Sequence, residues 1–343
     1  MISDGKPTVS NMRLVQIAQP DRSRRVAIVE DDGNRLTLLD RVETVYGLAQ
    51  EAIAGGLTLA TLAGARTGKE RVSYDQVVAE RRLLPPLDHP EPARFWITGT
   101  GLTHIGSAAA RDKMHVAEHG DMATMTDSMK IFRMGIEGGK PQPGEVGVVP
   151  EWFFKGVGTC VVAPEASIAT PAFALAGGEE PEIVGLYVIA PDGSPCRIGY
   201  CLGNEFSDHV TEAQNYLYLA HSKLRQCSLG PELLLGELPQ DVRGQSRIVR
   251  GNEIIWQGEF LSGEANMSHS IRNLEHYHFR YSMFRRPGDA HAYYFGAAIL
   301  SSAEGVKARI GDRFEIDAPA LGRPLRNTMV AEADPGIVTV RAL

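Results

Sequence analysis

Apolar residues along the chain fall into short runs, and turn-forming residues separate them. Residues 1–11 (MISDGKPTVSN) are polar and read as a frayed leader or an alternative start. The run MRLVQIA, opened by Met12, has strand character, as do Arg25–Glu30 (RVAIVE) and Arg35–Leu39 (RLTLL). Asp31-Asp32-Gly33-Asn34 supplies the turn between the last two. Val42, Val45, Leu48, Ala49, Ala52 and Ile53 then recur at helical spacing, and Gly55-Gly56 ends the pattern. Together these elements predict a small α+β unit. Pro85, Pro86, Pro90 and Pro92 crowd segment 83–93 (LLPPLDHPEPA). Such density favours extended chain, so a boundary is expected near residue 90, dividing domains 1–90 and 91–343.

The second part is patterned differently. From residue 160 onward, runs such as EIVGLYVIA, RIGYCLG, EIIWQGEF and AYYFGAAIL alternate with Gly, Pro and Asp. Helical spacing is confined chiefly to 210–220 and 263–285. The expected class is therefore α+β and β-rich. Segment 113–150 is rich in Gly, Met, Asp and Pro and poor in periodicity, which reads as a lid or binding loop.

Length and composition narrow the functions. The 343 residues suffice for one large domain or two modest ones, and 43% hydrophobic with 22% charged residues is ordinary for a soluble globular chain. A net charge of −7 argues against a general nucleic-acid binder. No run reaches the roughly 18 apolar residues a membrane helix needs. The first thirty residues carry no secretory pattern, so a cytoplasmic protein is expected. Cys160, Cys196, Cys201 and Cys227 show neither CxxC nor metal-finger spacing and are expected to be reduced thiols.

Candidate chemistry begins at Gly177-Gly178-Glu179-Glu180-Pro181-Glu182, directly before a strand pattern. In extended chain Glu180 and Glu182 face the same side, where two carboxylates repel unless a cation lies between them. A hard divalent ion takes such oxygen ligands; a solvated acidic turn would give the same sequence. A second acid, Glu205, follows the strand-like RIGYCLG and opens a helix, with Asn204 or Ser207 as potential N-cap. Lys223, in His221-Ser222-Lys223, could act as a base or enolate stabiliser near a metal, or be an ordinary surface lysine.

The ordered motifs resemble those of the fumarylacetoacetate hydrolase family over roughly residues 83–327. They are LLPP near 85, Gly-Thr-Gly-Leu-Thr-His at 99–104, Glu180-Pro181-Glu182-Ile183, Gly203-Asn204-Glu205, Ser222-Lys223 and Gly230-Pro231. Pro287-Gly288-Asp289, Gly311-Asp312-Arg313-Phe314-Glu315-Ile316 and Gly322-Arg323-Pro324-Leu325-Arg326-Asn327 close the series. The resemblance implies a mixed β-roll catalytic domain with a small N-terminal domain, a homodimer, and a small 2-oxo acid substrate. It also implies Mg²⁺, with Mn²⁺ or Ca²⁺ possible, held by Glu180, Glu182 and Glu205. The family's common hydrolases have Asp at the third ligand position, so Glu205 is a departure. Gly101–Ser107 and Pro150-Glu151-Trp152-Phe153-Phe154-Lys155 resemble the branch that dehydrates 2-keto-3-deoxy sugar acids. On that reading Lys223 faces the enolisable carbon, while Ser107 and Glu151 position a water or the leaving hydroxyl. The implied reaction converts a 2-keto-3-deoxy-pentonate to 2,5-dioxopentanoate. Two alternatives remain: an acylpyruvate C–C hydrolase and a non-catalytic sugar-acid-binding protein.

Other features bear on that choice. The hydrolases' His-x-x-Glu lid pair is replaced by Ser107 and Ala110, although His115 and Glu118 stand at the same spacing further on. Gly296-Ala297 stands where the family often has Gly-Thr. Residues 116–147, with Asp127-Ser128-Met129-Lys130 and Arg133, read as an insertion forming a substrate lid or a solvated loop. His276-Tyr277-His278 reads as a packed or surface pair, since no third metal ligand is suitably spaced. Gly135–Lys140 (GIEGGK) lacks the earlier glycine of a phosphate loop, and no Gly-x-Ser-x-Gly elbow occurs.

Overall fold

The computed structural model describes residues 12–106 and 126–343. Strand Pro181–Ile189 is buried along its whole length, which explains why its sequence carries no charged residue after Glu182. Its alternating side chains enter two different cores. Val184, Leu186 and Val188 pack with Val45, Leu48, Ala49 and Ala52 of helix Val45–Gly55. Ile183, Tyr187 and Ile189 pack with Val242, Phe260, Leu274 and Ile316 on the other side. Strand Pro195–Asn204 pairs with one edge of Pro181–Ile189, and strand Ala290–Tyr294 with the other, both antiparallel.

These strands belong to a thirteen-stranded mixed sheet. The expected N-terminal strands form at Arg13–Ala18, Arg24–Val29 and Arg35–Leu39. They join this same sheet, because Arg13 and Leu14 pair with Leu234 and Leu233. Thr44 caps helix Val45–Gly55, and Gly56 ends it in the left-handed conformation, φ 61°. The proline-rich segment is extended but firmly packed. Leu83–Leu84 pairs with the first strand, Leu87 is buried in the core, and Arg24 holds Asp88 with two bonds of 2.7 Å. A second sheet has five strands, in the order Glu253–Ser262, Val242–Arg250, Arg313–Asp317, Leu325–Ala331, Ser167–Thr170.

The segment expected to lack regular structure contains a helix, Asp127–Gly138, capped by Thr126. Its buried positions are Ser128 and Gly135, two turns apart on one face. A Cβ on Gly135 would lie 2.8 Å from Nε2 of His269, so the helix docks through small residues. Ile131 and Phe132 share that face but are only half-buried, so the fully buried contacts come from small residues.

The resemblance motifs at the chain's end are structural. Asp289 accepts from Arg94 Nε (2.8 Å) and Trp96 Nε1 (3.0 Å). Asn327 donates to the carbonyls of Ala163 and Ala166. His104 also belongs to the core, its ring nitrogens 2.9 Å from Thr103 Oγ1 and Ser262 Oγ. His278 is buried against His291 at 3.1 Å, which fits the packed reading of that histidine.

Burial pushes both His104 and His291 down to about 3. The folded chain therefore binds fewer protons than the unfolded chain, whose histidines titrate near about 6.5. This stability is complete above that value and is lost progressively as pH falls toward 3. By about pH 5 each histidine should remove about 2 kcal/mol. Urea midpoints at neutral pH and at about pH 5 check this. An unchanged midpoint would mean these rings can be protonated in place.

Candidate metal centre and active site

Two adjacent strand ends carry the acids. Glu180 directly precedes strand Pro181–Ile189, Glu182 is its second residue, and Glu205 directly follows strand Pro195–Asn204. The antiparallel register sets Pro181 opposite Asn204 and Glu182 opposite Gly203. One step further, the Glu205 N–H donates to the Glu180 carbonyl at 3.0 Å. The Asn204 side chain accepts from the Glu180 N–H at 3.2 Å. Register thus unites acids 25 positions apart with the Glu-x-Glu pair. One oxygen from each of Glu180, Glu182 and Glu205 lies within 4.8 Å of the others, and all three residues are buried.

The helix after Glu205 starts later than expected. It spans His209–Gln214, and its cap is Asp208, which accepts from the Thr211 N–H. Asn204 and Ser207 instead serve the acids. Ser207 Oγ lies 3.1 Å from Glu205 Oε2 and donates to the Glu205 carbonyl at 2.8 Å.

Two buried lysines face the cluster, and they are held differently. Lys223 ends the short helix Leu219–Lys223. Its Nζ touches Glu180 Oε1 and lies 2.6 Å from Glu205 Oε2 and 3.3 Å from Ser207 Oγ. All of these partners are side chains. Lys155 Nζ bonds Glu205 Oε1 at 2.5 Å, but also the carbonyls of Glu205 (3.2 Å), Phe206 (2.7 Å) and Lys223 (3.1 Å). Backbone contacts make Lys155 a fixed brace, whereas Lys223 is free to exchange partners.

The charge balance is uneven. Burial, then Glu205 and Glu180, push Glu182 well above the usual carboxyl range. Burial and Glu180 raise Glu205 to about 7 against the pull of Lys155 and Lys223. For Glu180 burial acts upward, but Lys223 and His209, whose Nε2 is 3.1 Å away, prevail and hold it well below. Burial acts downward on Lys223, and Glu180, Glu205 and Glu212 outweigh it, so its ammonium is stabilised. Glu182 faces no cation at bonding distance among the described residues. Its Oε2 accepts from the Gly296 N–H at 2.6 Å, while its Oε1 is buried without a hydrogen-bond partner. Gly296 makes this contact at φ 98°, where a Cβ would collide with Thr103 Oγ1. A buried, oxygen-only set with one unspent oxygen suits a hard divalent cation.

Strand Phe153–Val157 brings the remaining groups. Glu151, Phe153 and Lys155 are buried, whereas Trp152 and Phe154 are 39% and 37% exposed, the period of a strand. Lys223 Nζ lies 4.9 Å from the centre of the Phe153 ring. Glu151 is anchored by Thr100 Oγ1, which donates to its carbonyl at 2.6 Å; Tyr216 OH reaches its carboxylate at 3.4 Å. Ser107, His115 and Glu118 lie outside the described residues. From the sequence, Ser207 is expected only as a potential helix cap, and no role at the acids is expected of Lys155 or His209; the Glu151-Phe153-Lys155 alternation is the signal that marks Lys155.

Lys155→Met should cost the metal-free protein about 3–5 kcal/mol, the loss typical when one partner of a buried ion pair is removed. Urea denaturation reads this. A loss below about 1 kcal/mol would contradict the brace, since even one neutral hydrogen bond contributes that much.

No family model matches the chain. A probable 2-keto-3-deoxyxylonate dehydratase of Haloferax volcanii is 30% identical over 129 residues, covering 37% of this chain. That match spans only 42% of the relative's length. Solved structures align over far more. The apo form of 2-keto-3-deoxy-D-arabinonate dehydratase superposes with a TM-score of 0.67 at 19% identity, covering 94% of this chain and 100% of that one. The same enzyme complexed with magnesium and 2,5-dioxopentanoate gives 0.67 at 18% identity, covering 94% and 99%. A 2-hydroxyhepta-2,4-diene-1,7-dioate isomerase from Mycobacterium marinum gives 0.59 at 17%, covering 94% and 100%. The chain has the fold of the 2-keto-3-deoxy-D-arabinonate dehydratases, the β-rich α+β fold that its ordered motifs implied.

Proposed function

We propose that this protein is a metal-dependent hydro-lyase that dehydrates a 2-keto-3-deoxy sugar acid, with a pentonate as the first candidate. One observation carries the reading: a buried Glu180–Glu182–Glu205 cluster with a side-chain-held lysine against it. The shared fold and the Haloferax volcanii relative support the substrate class. In this reading Glu180, Glu182 and Glu205 hold Mg²⁺. A divalent ion bound there supplies Lewis-acid polarisation of the substrate's 2-oxo group, which acidifies C3.

The chain's own residues then move the protons. Lys223, once displaced from the Glu180 and Glu205 carboxylates that stabilise its ammonium and so able to lose its proton, takes the C3 proton; its partners are side chains that a ligand can displace, whereas Lys155 is tied to backbone carbonyls. Phe153, against the Lys223 ammonium, keeps water from that side. Glu151, directly or through a water held by Ser107, delivers a proton to the departing C4 hydroxyl. Loss of the C3 proton and the C4 hydroxyl releases one water and leaves a C3–C4 alkene. A proton removed from C5 and one returned to C3 then give the C4–C5 enol, which loses its hydroxyl proton and gains one at C4 to become 2,5-dioxopentanoate. A homodimer in the cytoplasm belongs to the same reading.

NMR product analysis tests it. The Mg²⁺-loaded protein is incubated with 2-keto-3-deoxy-pentonates, 2-keto-3-deoxy-hexonates and acetylpyruvate, with EDTA as control. A dioxo acid formed only with metal is expected. Pyruvate with acetate would instead mean C–C hydrolysis, and bound metal without any product would favour a binding role.

A further inference from the structure

We infer that Cys160 and Cys227 form a reversible disulfide when the protein meets a peroxide, stapling together the two segments that brace Glu205. The inference does not depend on which reaction the site catalyses. The two Sγ atoms are 4.0 Å apart. Their backbones are neighbours, since Cys227 pairs with Val161 in a parallel bridge, one residue beyond Cys160. Cys227 is fixed in strand Cys227–Leu229, held between Val161–Val162 and the end of strand Pro195–Asn204. Cys160 closes the short turn Gly158–Cys160 and is only half-buried. Closing the sulfurs to the about 2.05 Å of a disulfide therefore falls on that turn.

Their surroundings favour reaction at Cys160. The hydrogen bond with Cys227, and then Lys155, lower its thiol against the effect of burial. Burial raises Cys227, leaving it as the resolving thiol. The Cys160 thiolate attacks one peroxide oxygen; the O–O bond breaks, giving a sulfenic acid and, after proton uptake, one water. Cys227 sulfur then attacks the sulfenyl sulfur and expels hydroxide, which leaves as a second water with the Cys227 proton. Two thiols are oxidised by two electrons, and hydrogen peroxide is reduced to two waters.

The bridge would join functional segments. Lys155, which holds Glu205, lies five residues before Cys160. Ser228, next to Cys227, pairs with Asn204, next to Glu205. The cross-link thus ties the lysine brace to the strand end that presents its carboxylate.

The full chain, reduced and then treated with a modest excess of hydrogen peroxide, is examined by intact mass and non-reducing peptide mapping. A loss of about 2 Da is expected, with a Cys160–Cys227 linked peptide that dithiothreitol removes. Cys160→Ser and Cys227→Ser should each lack the linked peptide. Mapping of the unsubstituted chain decides the matter even if a variant misfolds. Oxygen addition at Cys160 without a link, a link through Cys196 or Cys201, or no mass change would each overturn the inference.

Discussion

Glu182→Gln is expected to leave the metal-free protein at least as stable as its parent while abolishing its response to divalent ions. Glu182 is buried beside two other carboxyls, which push it toward the neutral acid. Glutamine keeps its shape and the acceptor for the Gly296 N–H, and removes the like-charge contacts. A ligand oxygen is nevertheless lost. Affinity should fall more than about a hundredfold, beyond what losing a mere outer partner of a ligand costs. Mg²⁺ at about 100 times its Kd should stabilise the parent by about 2.7 kcal/mol and the variant hardly at all. Glu205→Gln should behave differently, because it strips Lys155 and Lys223 of a shared carboxylate. That change should destabilise the metal-free fold as well. Thermal melts with and without Mg²⁺ separate the two; equal metal responses in parent and Glu182→Gln would remove Glu182 from the ligand set.

Lys223→Met is expected to separate chemistry from metal binding. The Lys223 ammonium rests on Glu180 and Glu205, the oxygens a divalent ion would use. Removing it leaves buried carboxylates without their main counter-charge, at a cost of about 3–5 kcal/mol. Added Mg²⁺ should restore that stability, since lysine no longer competes for those oxygens. Turnover should fall by about 10²–10⁴, the usual contribution of a positioned proton-transfer group. Calorimetric titration and a turnover assay on one preparation decide this. Unchanged turnover would take Lys223 out of the chemistry, and much weaker metal binding would give it a structural role instead.

Local pattern carried much of this structure. The Glu-x-Glu pair was legible because two residues apart in extended chain share a side, and Gly55-Gly56 marked a helix end through backbone freedom. Glu205 needed more. Its place beside Glu180 follows from an antiparallel register that only the ordered motifs suggested. Lys155 was missed because a lysine next to two phenylalanines carries no local sign of burial; its alternation with Glu151 and Phe153 was the clue. Helix Asp127–Gly138 escaped because it docks through Ser128 and Gly135, which register as polar and breaking residues. Asp208 replaced Asn204 and Ser207 as helix cap because those two side chains are committed to the acids.

Diffraction from manganese-soaked crystals tests the metal cage most directly. Manganese gives an anomalous signal and accepts the same oxygen donors as magnesium. A single strong peak is expected about 2.2 Å from one oxygen each of Glu180, Glu182 and Glu205, with the Lys223 ammonium moved off Glu180 and Glu205. Lys223 still seated on those carboxylates, with manganese bound elsewhere or not at all, would contradict it.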